Sequence, residues 1–221
     1  MGTHFHRQLN GLRLKVLEMA AYTSHAIESV AEALQNRDSA LAREVIEGDL
    51  QINQLECEVD EMSLRLIALE QPMAVDLRAI VATMRMAMHL ERIGDECANV
   101  AKNALYLSEN QPLPNIDHLI ELATQAMHMT HKAVDSFREN DLDSARGVRP
   151  MDKRCNALEK LVQQDMYAIM REDSATVERG MHAVFAARSL ERVGDLSNNI
   201  AETVMFIVAG LNIKHEQQQL N

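Results

Sequence analysis

The segment ERIGDECANVA at residues 91–101 returns as ERVGDLSNNIA at residues 191–201. Six of the eleven positions (Glu, Arg, Gly, Asp, Asn and Ala) are identical at an offset of 100, and Ile93/Val193 and Val100/Ile200 are conservative exchanges. Leu90/Leu190 and Ala87/Ala187 carry the match upstream. A second match lies earlier in each half. Asp49, Asn53, Leu55 and Glu56 correspond to Asp152, Asn156, Leu158 and Glu159 at an offset of 103, and Arg43 and Arg146 keep that register. The two offsets differ by three residues, the size of a loop change. The chain therefore reads as two copies of one structural unit in tandem.

Composition says what the unit is made of. Only 8 Gly and 4 Pro occur in 221 residues, aromatics make up 3% and there is no Trp. Helix formers abound, and the β-branched and aromatic enrichment of sheets is missing, which predicts an all-α protein. Chain breakers divide each half into three helical segments, 12–35, 39–69 and 75–108, then 116–138, 142–171 and 174–211. Pro72 separates the second and third segments, and Pro112 and Pro114 mark the linker between halves. Asn36-Arg37-Asp38 and Glu139-Asn140-Asp141 are polar turns at matching places, and Asp173-Ser174 has the chemistry of a helix N-cap. Gly147 and Pro150 predict a kink or a late start in the fifth segment, because proline lacks a donor and clashes with the preceding turn. Short turns favour antiparallel neighbours. The expected architecture is two tandem three-helix bundles, residues 1–110 and 115–215, joined into an elongated molecule.

The repeated motifs carry acids in register. Helical residues advance by about 100° each, so with Asp49 at zero, Asn53, Glu56 and Asp60 fall at about 40°, 340° and 20°. The apolar residues Leu41, Val45, Ile52, Leu55, Val59 and Leu66 occupy roughly 240° to 320° of the same wheel. The oxygen-bearing strip thus borders the core. Glu91, Asp95 and Asn99 form a like strip on the third segment. The second half repeats both, with Asp152, Asn156, Glu159 and Gln163, then Glu191, Asp195, Asn199 and Glu202. Where the second and third helices of a bundle lie side by side, the two strips can meet.

Such a meeting is costly without a counter-ion. Like charges at i,i+4 destabilise a helix by a few tenths of a kcal/mol per pair, and convergent carboxylates push one another's pKa upward. A multivalent cation removes the penalty. Carboxylate and amide oxygens suit magnesium, calcium, manganese and iron, with zinc also within reach of carboxylate ligands. Gly94 and Gly194, each one residue before the Asp, strengthen the case. A mid-helix glycine costs about 1 kcal/mol against alanine, which close helix packing or room for a ligand would explain. The competing reading is a solvated acidic face on which Arg92 and Arg192 pair with acids across the bundle.

Other chemistries find little support. The net charge of −11 repels phosphate backbones, so nucleic acid is not an expected partner. Cys57, Cys97 and Cys155 form no CxxC pair and fit a reducing compartment. The first residues, MGTHFH, lack an apolar signal region, and no run of 18 apolar residues occurs, so a cytoplasmic protein is expected that reaches a membrane only through partners. No Glu stands three residues before a His, so the ExxH ligand pair of ferritin-like di-iron proteins is missing. His89, His128, His131 and His182 read as partly buried or surface residues. No HExxH, P-loop, GxSxG or dinucleotide fingerprint occurs. The chain is expected not to be an enzyme. The alternative is a carboxylate-bridged metalloenzyme or a metal-storage helical protein.

The doubled ERxGD, each with an Asn four residues on, resembles the signature of the PhoU family. VIEGDLQINQLECEVDEMSLRLIALEQPMAVDLR (45–78) resembles that family's first helix pair, including EGD, the QP turn and DLR. The resemblance covers nearly the whole chain. It implies two PhoU-like three-helix bundles and multinuclear metal sites on their surface. Glu91 and Asp95 would be ligands in one site, supported by Asp49, Glu56 and Asp60. Glu191 and Asp195 would be ligands in the other, supported by Asp152 and Glu159, with Asn99, Asn199 and Glu202 as further oxygen donors. Gln163 in place of Asp60, and Glu202 in place of Lys102, make the two sites unequal. The resemblance further implies negative regulation of the phosphate-starvation response, through contacts with a phosphate ABC transporter ATPase and a sensor histidine kinase. A homo-oligomer, with a dimer as its size, is also expected.

Overall fold

A computed structural model describes residues 2–209; Met1, Leu211 and the expected end of the second unit at residue 215 lie outside the described residues. Seven α-helices follow in order among the described residues: α1 (Gly2–Asn36), α2 (Ser39–Glu70), α3 (Ala74–Glu109), α4 (Asp117–Glu139), α5 (Leu142–Arg146), α6 (Arg149–Glu172) and α7 (Val177–Ala209). No strand occurs among the described residues.

The punctuation acts locally as its chemistry dictates. The Asp38 side chain accepts from the amides of Ala40 and Leu41 at 2.9 and 3.0 Å, which starts α2. Asp141 accepts from Asp143 and Ser144 at 2.9 and 3.2 Å and starts α5. Each bond satisfies an amide that has no partner within the helix. Arg37 and Asn140, at the matching ends of α1 and α4, both turn the chain with positive φ (54° and 53°). Asp173 caps a 3₁₀ turn, Ser174–Thr176, that leads into α7.

Two predicted boundaries move. The first helix begins at Gly2 instead of residue 12, because the apolar stripe of Leu12, Val16 and Met19 continues backward through Leu9 and Phe5 onto the core. The fifth segment is broken in two. Gly147 and Val148 end α5, and Pro150 sits in the first turn of α6, where a missing donor costs nothing.

Helices α1, α2 and α3 pack together, as do α4, α6 and α7 with α5 at one end. The bundles do not stand end to end, as an elongated tandem would. They lie side by side, with α3 against α7 as the most extensive seam and α1 against α4 beside it. His182 meets Asn103, Arg192 meets Glu96, and Phe206 meets Arg85, so α3 and α7 run antiparallel along their lengths. Arg13 of α1 donates to the terminal carbonyls of α4, Phe137 O at 3.2 Å and Arg138 O at 2.9 Å, a cation placed at the negative end of a helix. One continuous apolar core runs through both bundles. The antiparallel seam gives the repeat an approximate two-fold relation, and ERIGD and ERVGD both fall at its middle.

Candidate functional site

The first acidic cluster is built by α2 and α3. Gly94 lets the helices approach: a Cβ there would stand 3.0 Å from Ile52 Cδ1 and 3.3 Å from Asp49 Oδ1. Close packing therefore explains this glycine, and the same approach turns Asp49 and Glu56 of α2 toward Glu91 and Asp95 of α3. Burial, then the charge of Asp95, raises the Asp49 carboxyl, against a hydrogen bond from Asn53 and the charge of Lys102. Burial, then Asp60 and Asp95, raises Glu56 against the pull of Arg92. Glu91 suffers most. Burial first, then Asp95, Glu56 and Asp49 push it up to about 7. Asp60 is exposed at the rim and acts on Glu56. Asn53 Nδ2 donates to Asp49 Oδ2 at 3.2 Å, while Asp49 Oδ1 and Asn53 Oδ1 are buried without a hydrogen-bond partner. Two orphaned oxygens at one place are a desolvation cost that a cation, or a water on it, would offset.

The second cluster repeats the plan on α6 and α7. A Cβ on Gly194 would stand 3.2 Å from Cys155 Sγ. Burial and Asp195 raise Asp152, opposed by Arg149. Burial, then Asp195, Glu159 and Asp152, push Glu191 up to about 7 against the charge of Arg192. Asn156 Nδ2 donates to Asp152 Oδ2 at 3.3 Å, and Gln163 Nε2 donates to Glu159 Oε1 at 2.8 Å. Gln163 thus ties up an oxygen of Glu159 where Asp60 adds charge in the first copy. Glu202 Oε2 is buried with no hydrogen-bond partner.

A groove of about 400 Å³ runs between the clusters along the α3–α7 seam, lined by Arg92, Asp95, Glu96, Arg192, Asp195, Leu196 and Asn199. Arg192 Nη1 bonds Glu96 Oε1 at 3.0 Å, so an arginine of the second copy does pair with an acid of the first. Asn99 Nδ2 turns toward Glu96 Oε2 at 3.5 Å, and Asn199 faces the groove, so neither is turned wholly into its own cluster. Among the described residues, no three His, Cys, Asp or Glu side chains converge closely enough to hold one metal ion. The acids act on one another chiefly in pairs, Asp95 on Glu91 and Asp195 on Asp152.

Comparison with known proteins assigns the lineage. The PhoU domain matches twice, over residues 16–104 and 119–204. The chain belongs to the PhoU family. The phosphate-specific transport system accessory protein PhoU of Serratia marcescens is 35% identical over 211 residues, which take in 96% of this chain and 87% of that protein. The protein of the same name from Escherichia coli is 33% identical over 211 residues, 96% of this chain and 88% of its own length. The crystal structure of PhoU from Pseudomonas aeruginosa superposes with a TM-score of 0.90 at 36% identity, covering 94% of this chain and all of that one. The phosphate transport system regulatory protein PhoU from Streptococcus pneumoniae shares the fold, with a TM-score of 0.85 at 24% identity over 94% of this chain and 98% of that one.

Glu96 escaped the sequence reading. Its counterpart is Leu196, so a search for repeated acids passes over it, although its spacing of four from Arg92 places it on the outer edge of the motif. Two of the histidines face ordinary neighbours: His182 Nδ1 lies 2.8 Å from Asn103 Oδ1 with its ring stacked on Tyr106, and His131 Nε2 lies 2.9 Å from Glu28 Oε1 without a well-aligned hydrogen bond. No helix among the described residues is long and apolar enough to cross a membrane.

Proposed function

We propose that this protein is a cation-responsive accessory protein of a phosphate transport system. It holds the phosphate-starvation response off while phosphate is plentiful, by contact with the transporter ATPase and a sensor histidine kinase, and works in the cytoplasm as a homodimer. The relatives' names support the transport role. The observation that carries the cation response is the convergence on Glu91 and Glu191, each pushed up to about 7, of an acid one turn along the same helix and of half-buried acids from the neighbouring helix. Near neutral pH each cluster stands between a protonated and a fully charged state. A bound hard cation would supply positive charge that replaces those protons.

The donor chemistry suits such an ion. Because no three of these acids converge on one point among the described residues, Glu91, Asp95, Asp49 and Glu56 in one bundle, and Glu191, Asp195, Asp152 and Glu159 in the other, would have to draw together around it, with water completing the shell. Magnesium, manganese and iron suit these oxygens better than zinc. Because Gly94 and Gly194 bring the paired helices into contact at the cluster, the charge state of the acids bears directly on how tightly α2 holds α3 and α6 holds α7. That coupling is the means by which ion binding would alter a surface offered to a partner.

The test is a deletion in the native host carrying a phosphate-responsive reporter. Loss of the protein should leave the reporter on at high phosphate, and the intact gene should switch it off. A variant with Glu91, Asp95, Glu191 and Asp195 replaced by their amides should fold, bind no manganese in equilibrium dialysis, and fail to restore repression. An unchanged reporter in the deletion strain would refute the regulatory role. Full repression by the amide variant would refute the cation's part in it.

A further inference from the structure

At the middle of the α3–α7 seam one ion pair joins the two halves of the repeat. Arg192 Nη1 donates to Glu96 Oε1 at 3.0 Å. Each partner is the chain neighbour of an acid in a different cluster: Arg192 follows Glu191, and Glu96 follows Asp95. Glu96 is the fixed member. Its side chain is 14% exposed against 52% for Arg192, and Asn99 Nδ2 faces its second oxygen at 3.5 Å. A carboxylate so placed anchors a guanidinium whose long side chain is otherwise free to turn.

The first half shows the arginine without this anchor. Leu196 stands at the position equivalent to Glu96 and offers Arg92 no acceptor. Arg92 instead acts on Glu56 of α2, an acid of its own cluster. Both arginines line the seam groove together with Asp95 and Asp195. Arg192 already acts on Glu191 while bonded to Glu96. Released from Glu96, its guanidinium would turn to Glu191 and Asp195 and neutralise them. A positive side chain among these acids competes with a cation for the same negative charge.

We propose that Glu96 is a positioning residue for the second cluster: by holding Arg192 on the seam it keeps Glu191 and Asp195 open to a cation. That role rests on the cation reading of the clusters and adds to it a control exerted from the other bundle. Coupling of this kind is reciprocal. Arg192 is pushed onto Glu96 when an ion fills the second cluster, so occupancy in one bundle strengthens a bond to the helix that carries Glu91 and Asp95 of the other.

Manganese binding to the full chain, followed by electron paramagnetic resonance through the loss of the free ion's signal, tests this. Glu91→Gln is present throughout to weaken the first cluster, so that the bound ion reports the second. Glu96→Leu, which copies Leu196, should weaken the Kd about three- to fivefold, the size of a half-exposed ion pair. Glu96→Gln, which keeps the shape and loses the charge, should weaken it by less. Arg192→Met should tighten binding. Glu96→Leu added to Arg192→Met should change it no further, because Glu96 acts through the arginine. Melting in chelator checks that each variant is folded. Equal Kd with and without the Glu96 changes would overturn the proposal. So would the same loss from Glu96→Leu in the presence and absence of Arg192, which would mark an effect on the fold alone. Manganese bound by the parent and not by the Glu91→Gln chain would overturn it too, by confining the ion to the first cluster. A parent that binds no manganese would remove the cation reading itself, and this role with it.

Discussion

Glutamine in place of Glu91 removes one charge from the first cluster and keeps the shape. The folded chain moves the Glu91 carboxyl from 4.5 to about 7. At ~1.4 kcal/mol per pH unit, that displacement is worth roughly 3 kcal/mol, and water at this half-open site reduces it to roughly 1–2 kcal/mol. The sign follows from linkage. A carboxyl raised by folding binds its proton more tightly in the native state. Its penalty is therefore absent below the unfolded value, grows as pH rises from 4.5 toward 7, and is complete above that. In chelator at pH 8 the Glu91→Gln protein should be the more stable, melting about 2–8 °C above the parent for a chain of this length. Near pH 4.5 the difference should vanish.

Calorimetric melts of parent and variant at pH 4.5, 6 and 8, all in chelator, measure this directly. Millimolar manganese at pH 8 should then raise the parent's melting temperature more than the variant's, because the ion relieves in the parent what the amide has already relieved in the variant. A Glu91→Gln protein that melts below the parent at pH 8, or an advantage that does not shrink on acidification, would refute the idea that the cluster is held under charge repulsion. Glu191→Gln should behave alike, since the same causes act on it.

The glycines should sort by what a methyl group meets. Gly94→Ala should lose about 1–2 kcal/mol in denaturant unfolding from overpacking against Ile52, net of improved helix propensity; Gly194→Ala should lose less, its nearest neighbour being a cysteine sulfur at 3.2 Å; and Gly48→Ala should gain up to about 1 kcal/mol. Removing the helix caps by Asp38→Ala or Asp141→Ala should cost about 1 kcal/mol each in the same assay. Of the three thiols, Cys57 is exposed while Cys97 and Cys155 are buried with their thiols pushed up, Cys155 to about 12. A thiol reagent should therefore titrate one group in the native protein and three in denaturant, with Cys57→Ser abolishing the fast phase.

Most of the helical framework was readable because it is written in local chemistry. Asp38, Asp141 and Asp173 act as caps through their own side chains, and Pro72, Gly147 and Pro150 break helices by covalent geometry, so neighbours in sequence suffice to place them. Residues 2–11 of the first helix are not legible in the sequence because they look polar by composition, and their place in the helix rests on Phe5 and Leu9 meeting a core built from distant segments. The side-by-side packing was not readable for a like reason. Both bundles bury one apolar stripe internally, and that α3 and α7 also cover one another depends on a second stripe that single-helix periodicity merges with the first. In the candidate site, repetition revealed the acids and the glycines, and could not reveal Glu96, whose role comes from Arg192 in the other copy.

The departures from repetition set the two clusters apart. If the two clusters did the same work, the approximate two-fold relation of the seam would leave them equivalent, yet the exchanges Asp60 to Gln163 and Lys102 to Glu202 change the charge around them. In the first bundle Lys102 acts on Asp49 and Arg92 on Glu56, so fixed cations already moderate the acids. In the second, Glu202 replaces the lysine and keeps a buried oxygen without a hydrogen-bond partner, while Arg149 acts on Asp152 and Arg192, bonded to Glu96 across the seam, still acts on Glu191. Gln163 for Asp60 returns one charge at the exposed rim, where water screens it most, whereas Glu202 for Lys102 changes the charge by two negative units and puts a partly buried side chain where the first copy has an exposed one. On the cation reading proposed above, the second cluster is expected to attract an ion more strongly than the first. Titrating manganese into the Glu91→Gln and Glu191→Gln proteins should show the tighter site surviving in the former and lost in the latter, and equal affinities in the two would mean that Lys102 and Glu202 are too far from the acids to matter.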